Sequence, residues 1–116
     1  MSRFVRGLDG NHLIAIGDEG NEKLLGMEGI DFGTLHLYPE SLEQGLEAIR
    51  KYGGKARKPL LLEEYGMKDL GLREKAYAAW ISAAEEVGMC GALLWMIGLP
   101  KGVRQPYDLD AYVKTV

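Results

Sequence analysis

Four short apolar runs, residues 12–16, 32–38, 59–65 and 92–97, are separated along the chain by polar or amphipathic stretches. The first run, His12-Leu13-Ile14-Ala15-Ile16, shows no apolar–polar alternation and predicts a strand buried on both faces, as in a parallel sheet. Gly17 closes it, Pro39 stops the second run and Gly66 ends the third. Residues 39–52 carry Leu42, Leu46 and Ile49 at i, i+4 and i+7, which predicts a helix opened by Pro39-Glu40-Ser41. Glu43, Glu47 and Arg50 fall on its polar side, and Gly53-Gly54 stops it. A second helix is expected over residues 72–87, with Tyr77, Trp80, Ile81 and Ala84 on one face and Gly88 as its cap. Residues 2–8 read as the last turns of a helix ended by Asp9-Gly10-Asn11, residues 18–29 and 98–108 as loops, and residues 111–116 as the start of a further helix.

The expected order is therefore (α)-β-loop-β-α-β-α-β. Strands alternating with helices imply parallel pairing through right-handed crossovers. A doubly wound sheet and part of a (β/α)8 barrel both fit. A doubly wound nucleotide binder needs a glycine-rich turn after its first strand. Gly17-Asp18-Glu19-Gly20 has the wrong spacing and places two acids where a phosphate would sit. No Gly-Lys-Ser/Thr phosphate loop occurs either.

Composition changes this picture little. The 116 residues are 47% hydrophobic and 27% charged with a net charge of −3, as in one small soluble domain with no basic surface for nucleic acid. Sixteen glycines, spread throughout, fit turns between many short elements. The longest apolar runs are about half the length of a membrane span. Met1 to Arg6 shows no apolar stretch of the signal-peptide kind, so no leader is expected within these residues. The single cysteine, Cys90, excludes an internal disulfide and is expected to be buried and inert. His12 and His36 have no metal-ligand spacing, so neither a metal nor a cofactor is expected.

The candidate chemistry sits at the strand ends. Asp18 and Glu19 follow the first strand, His36 and Tyr38 end the second, Glu63 and Glu64 end the third, and Trp95 lies near the end of the fourth. In a barrel these ends converge on the face that carries the active site. Neighbouring strand residues point opposite ways, so Glu63 and Glu64 are not expected to reach the same spot. Singly, each has an ordinary explanation: a solvated acid, a hydrogen-bonded His or Tyr, a core Trp. Together they suit carbohydrate chemistry. An indole stacks on a sugar ring, a carboxylate attacks an anomeric carbon, and a tyrosine hydroxyl orients that carboxylate.

Four segments, 11–20 (NHLIAIGDEG), 30–39 (IDFGTLHLYP), 58–66 (KPLLLEEYG) and 91–96 (GALLWM), carry a resemblance in order and rough spacing. The sequence resembles glycoside hydrolase family 5, and within that cellulase family the endo-β-1,4-mannanases. The resemblance implies that these are strands five to eight, the C-terminal half of a (β/α)8 TIM barrel, with residues 1–116 forming a partial domain lacking strands one to four. It implies Glu64, directly before an aromatic-glycine pair, as the catalytic nucleophile of a retaining hydrolase. Tyr38 would hydrogen-bond that nucleophile, His36 would line the cleft beside it, and Trp95 would form the sugar platform. Glu19 would be the strand-five acid on the leaving-group side, and Glu63 would point away, into the barrel wall or towards a helix.

The departures from the family pattern carry their own expectations. The acid/base glutamate follows an asparagine on strand four, and no such segment occurs; Asn21-Glu22 lies in a loop and does not take the role. The loop after His36 and Tyr38 is short and lacks the tryptophan often found there. Losing general acid–base help costs on the order of 10²–10⁴ in rate, so residues 1–116 alone are expected to be inactive. The inner side of the sheet, taken by alternation as Leu13, Leu35, Leu61 or Leu93, would need a cover. An N-terminal half-barrel, self-association or partial folding would each answer that need, as expected of a fragment of a longer gene. The expected ligand is a β-1,4-linked polysaccharide or oligosaccharide. The identity of that sugar, a cellulase-like specificity, a non-catalytic binding or complementation role, and localisation all stay open at this point.

Overall fold

A computed structural model of the chain describes residues 1–18, 20–23 and 26–95. The element order is α1 (Ser2–Leu8), β1 (Gly33–Leu37), α2 (Leu42–Gly53), β2 (Leu60–Tyr65), α3 (Arg73–Glu86) and β3 (Gly91–Leu94). The strands pair in parallel in the order β1-β2-β3. Among the described strands there is no order reversal of the kind that marks the ligand crevice of a doubly wound sheet.

Local signals account for the helix ends. Ser41 caps α2, its Oγ accepting from the Gln44 N–H at 3.2 Å. At the other end of α3, Gly88 takes φ +73°, the left-handed conformation that a terminal glycine supplies at little cost. The Gly88 and Met89 N–H groups then bond back to the carbonyls of Glu85 and Ala84.

The core lies between the sheet and the two long helices. Leu35 and Leu37 of β1, Leu62 and Tyr65 of β2, Ile49 of α2 and Ala76, Trp80, Ala83 and Ala84 of α3 form one cluster. Each fully buried aliphatic side chain there contributes about 1.5–3 kcal/mol. Leu35 therefore faces the helices rather than the opposite side of the sheet, contrary to the alternation expected from the sequence. The face of α3 is also turned slightly. Trp80 and Ala84 are buried as expected, while Ile81 is exposed and Ala76 and Ala83 take its place. Trp80 lies so close to α2 that its indole N–H donates to the Leu42 carbonyl at 2.9 Å.

The first expected strand, residues 12–16, is not a regular strand in the structure. It nonetheless runs beside β1 in the same direction. The Asp31 and His36 N–H groups donate to the carbonyls of Ile14 and Asp18, both at 2.8 Å. Between them the Thr34 hydroxyl donates to the Ile16 carbonyl at 2.6 Å, and the Asp31 carboxylate accepts from the Ile14 N–H. Side chains thus satisfy backbone groups that a ladder would otherwise pair. Leu13 is 72% exposed, so the expected burial of both faces does not hold. Cys90 is likewise exposed rather than buried, with its thiol toward the Leu60 carbonyl. Glu19, Met96, Ile97 and the expected final helix over 111–116 lie outside the described residues.

Candidate functional site

The site is built on an irregularity in β2. Leu35 pairs with Leu62, but the next residue of β1, His36, pairs with Glu64, so Glu63 is an extra residue. On the other side, Leu62 pairs with Ala92 and Tyr65 with Leu94, three steps against two, which is the same extra residue seen from β3. This is a β-bulge, and it shifts the side-chain alternation by one. Leu60, Leu62 and Tyr65 are buried, while Leu61, Glu63 and Glu64 are only partly so. Without the bulge, strict alternation would drive Glu64 into the apolar layer and Tyr65 out of it. An unpaired buried carboxylate is far more costly than one disrupted ladder step. The bulge keeps both acids on the polar face and Tyr65 in the core.

Glu63 and Glu64 consequently meet at one imidazole, where the sequence predicted that Glu63 would turn away. His36 Nε2 lies 2.9 Å from Glu63 Oε2, and His36 Nδ1 lies 3.6 Å from Glu64 Oε2. The Tyr38 hydroxyl donates to Glu64 Oε2 at 2.7 Å, within the range of a charge-assisted bond. His36 is itself fixed through its backbone N–H, held by the Asp18 carbonyl. Its ring packs beneath Gly17, where an added Cβ would sit 3.2–3.3 Å from Glu63 Oε2 and the ring atoms. Three of the sequence-predicted residues, His36, Tyr38 and Glu64, are therefore brought together at the C-terminal ends of β1 and β2. Trp95 follows β3 at the same end, its N–H donating to the Tyr65 carbonyl at 3.1 Å and its side chain partly exposed. Glu19 lies outside the described residues.

Glu63 is the site residue that strand alternation missed. The run Leu60 to Tyr65 carried a signal for it. Two consecutive acids between Leu62 and Tyr65 break the period-two pattern, and one extra residue restores an apolar contact on each side.

Behind the site, the rings of Tyr65 and Tyr77 meet edge to face at 5.2 Å. Burial first, and the neighbouring Tyr77 second, push the Tyr65 hydroxyl above its ordinary pKa, so it stays neutral at working pH. Farther from the site, Arg6 and Asp31 form an ion pair that ties α1 to the entry of β1. The Ile14 N–H, followed by Arg6, holds the Asp31 carboxyl below the usual carboxylate range. Among the described residues no group of three or more His, Cys, Asp or Glu side chains is arranged to hold a metal ion.

No family model matches the sequence. Curated relatives include mannan endo-1,4-beta-mannosidase A from Aspergillus aculeatus, 33% identical over 84% of this chain and 33% of the relative. A second, from Podospora anserina, is 32% identical over 84% of this chain and 33% of its own length. Among solved structures, the endo-β-1,4-mannanase of Thermotoga petrophila superposes with a TM-score of 0.77 at 33% identity, covering 89% of this chain and 31% of that one. That of Rhizomucor miehei superposes with a TM-score of 0.77 at 29% identity, covering 87% of this chain and 36% of that one. The chain spans about a third of the length of the curated relatives it matches.

Proposed function

We propose that this chain, similar to endo-β-1,4-mannanases along most of its length, is the C-terminal, nucleophile-bearing part of a retaining hydrolase of β-1,4-mannan. In this reading the segment over 12–18 and strands β1 to β3 take the places of strands five to eight in a (β/α)8 barrel of glycoside hydrolase family 5. The observation that carries the proposal is the 2.7 Å bond from the Tyr38 hydroxyl to Glu64, at the strand ends where barrel enzymes place their chemistry.

The Tyr38 bond holds one oxygen of the Glu64 carboxylate, leaving the other to attack. An oxygen lone pair of Glu64 forms the bond to carbon one of the sugar while the glycosidic C–O bond breaks. The departing oxygen takes a proton from a second carboxyl group, which retaining enzymes place about 5–5.5 Å from the nucleophile. Glu63 is engaged by His36 and belongs to the nucleophile's side of the cleft, so the acid comes from elsewhere in the barrel. Trp95 supplies the platform on which the sugar stacks. Residues 1–116 alone therefore have negligible activity on mannan.

A glycoside that needs no acid tests the nucleophile directly. 2,4-Dinitrophenyl 2-deoxy-2-fluoro-β-mannobioside carries a leaving group that departs unprotonated, and its fluorine slows release of the sugar. The expected result is one covalent sugar on the peptide containing Glu64, found by mass spectrometry and lost in Glu64→Ala. No label, or equal label in Glu64→Ala, overturns the assignment. Preferential labelling by the cellobiose analogue would replace mannan with a cellulose-like substrate.

A further inference from the structure

We propose that Glu63 is a positioning residue for Glu64 and acts through His36. The inference rests on the reading of Glu64 as nucleophile and extends it to a residue that strand alternation would send to the other side of the sheet.

The bulge gives the mechanism. Glu63 and Glu64 oppose the single residue His36, so one imidazole has a carboxylate at each nitrogen. An ionised carboxylate only accepts hydrogen bonds, so the 2.9 Å contact to Glu63 Oε2 requires a proton on His36 Nε2. That bond places a proton on Nε2 and sets the angle of the ring. The Nδ1 edge then stands 3.6 Å from Glu64 Oε2, the same oxygen that the Tyr38 hydroxyl binds. Ring and hydroxyl together confine the Glu64 carboxylate to one rotamer, with its other oxygen left for attack.

The surroundings make this a packed arrangement. The His36 side chain is 19% exposed and that of Glu63 33% exposed. Gly17 covers the pair so closely that even a methyl group there would touch both side chains. The Asp18 carbonyl fixes the His36 backbone from the same side. Ring rotation is left to the Glu63 bond, because the backbone is already held at both edges of β1.

The test compares Glu63→Ala, which removes the acceptor, with Glu63→Gln, whose amide oxygen can still accept from Nε2. Two-bond ¹H–¹⁵N spectra of purified residues 1–116 report the His36 tautomer without any need for catalysis. The expected wild-type spectrum shows the Nε2-protonated ring, retained in Glu63→Gln and lost in Glu63→Ala. The rate of Glu64 labelling by the dinitrophenyl glycoside is expected to fall about tenfold to a hundredfold in Glu63→Ala, as for a misplaced reacting group. Half-saturation should change little, and Glu63→Gln should recover most of the loss. Unmoved ring signals in Glu63→Ala would overturn the proposal, as would labelling at the wild-type rate. If wild type and Glu64→Ala behave alike toward the glycoside, the nucleophile reading fails, and the ring signals still decide whether Glu63 governs His36.

Discussion

At the scale of single residues, side chains replace regular backbone pairing in two places, the Asp31 carboxylate and the Thr34 hydroxyl. Asp31 takes the Ile14 N–H and the Arg6 guanidinium, so residues 12–16 lie against β1 without a ladder. Its depressed pKa has a definite sign. The charged form is favoured by folding, so its stabilisation is present above the ordinary carboxylate pKa of about 3.9 and is lost as pH falls through the lower folded value. The Ile14 amide proton shift should therefore titrate with a midpoint below that ordinary value. Asp31→Asn should remove the titration and loosen residues 12–16 at neutral pH. A midpoint at the ordinary value would remove the basis for this link. The exposed pairing of Glu22 with Lys51 and Lys55 is expected to matter little, because long surface side chains gain only a small fraction of a buried contact.

At the scale of elements, the closeness of α2 and α3 sets where the sheet can lie. Gly45 allows it: a Cβ there would come 2.3 Å from the Trp80 indole, which is fully buried and has nowhere to move. Gly45→Ala would gain up to about 1 kcal/mol in helix propensity. Overpacking costs about 1–3 kcal/mol, and the indole bond to the Leu42 carbonyl would be strained as well. The expected outcome is a lower midpoint in urea unfolding, and an unchanged or higher midpoint would refute the packing account. The helix positions were legible from spacing because Ile49, Trp80 and the Ser41 cap follow local rules. The turn of α3 that exposes Ile81 was not, since a 3.6-residue period leaves the centre of a broad apolar face undetermined. The bulge escaped for a related reason: alternation assumes no inserted residue, and only pairing with both neighbours shows one.

At the scale of the molecule, Leu13, beside β1, and Leu93 and Leu94, on the edge strand β3, are exposed. In the proposed barrel, further strands cover them. Purified residues 1–116 are therefore expected to self-associate or to bind a dye that reports exposed apolar surface. Analytical ultracentrifugation showing a compact monomer that binds no dye would count against the missing cover. The chain is similar to mannanases both in sequence and in fold.

The sequence by itself determined the parallel strand–helix order from residue 33 onward, the two long helices, and the placing of His36, Tyr38 and Glu64 at strand ends. Those features depend on periodicity, caps and composition, which are local. Tertiary structure alone decided that residues 12–16 pair irregularly, that Cys90 is exposed, and that Glu63 turns back onto His36. Each of these depends on which neighbour satisfies a backbone group or shifts a register, and such partners lie well over a dozen residues away in the chain.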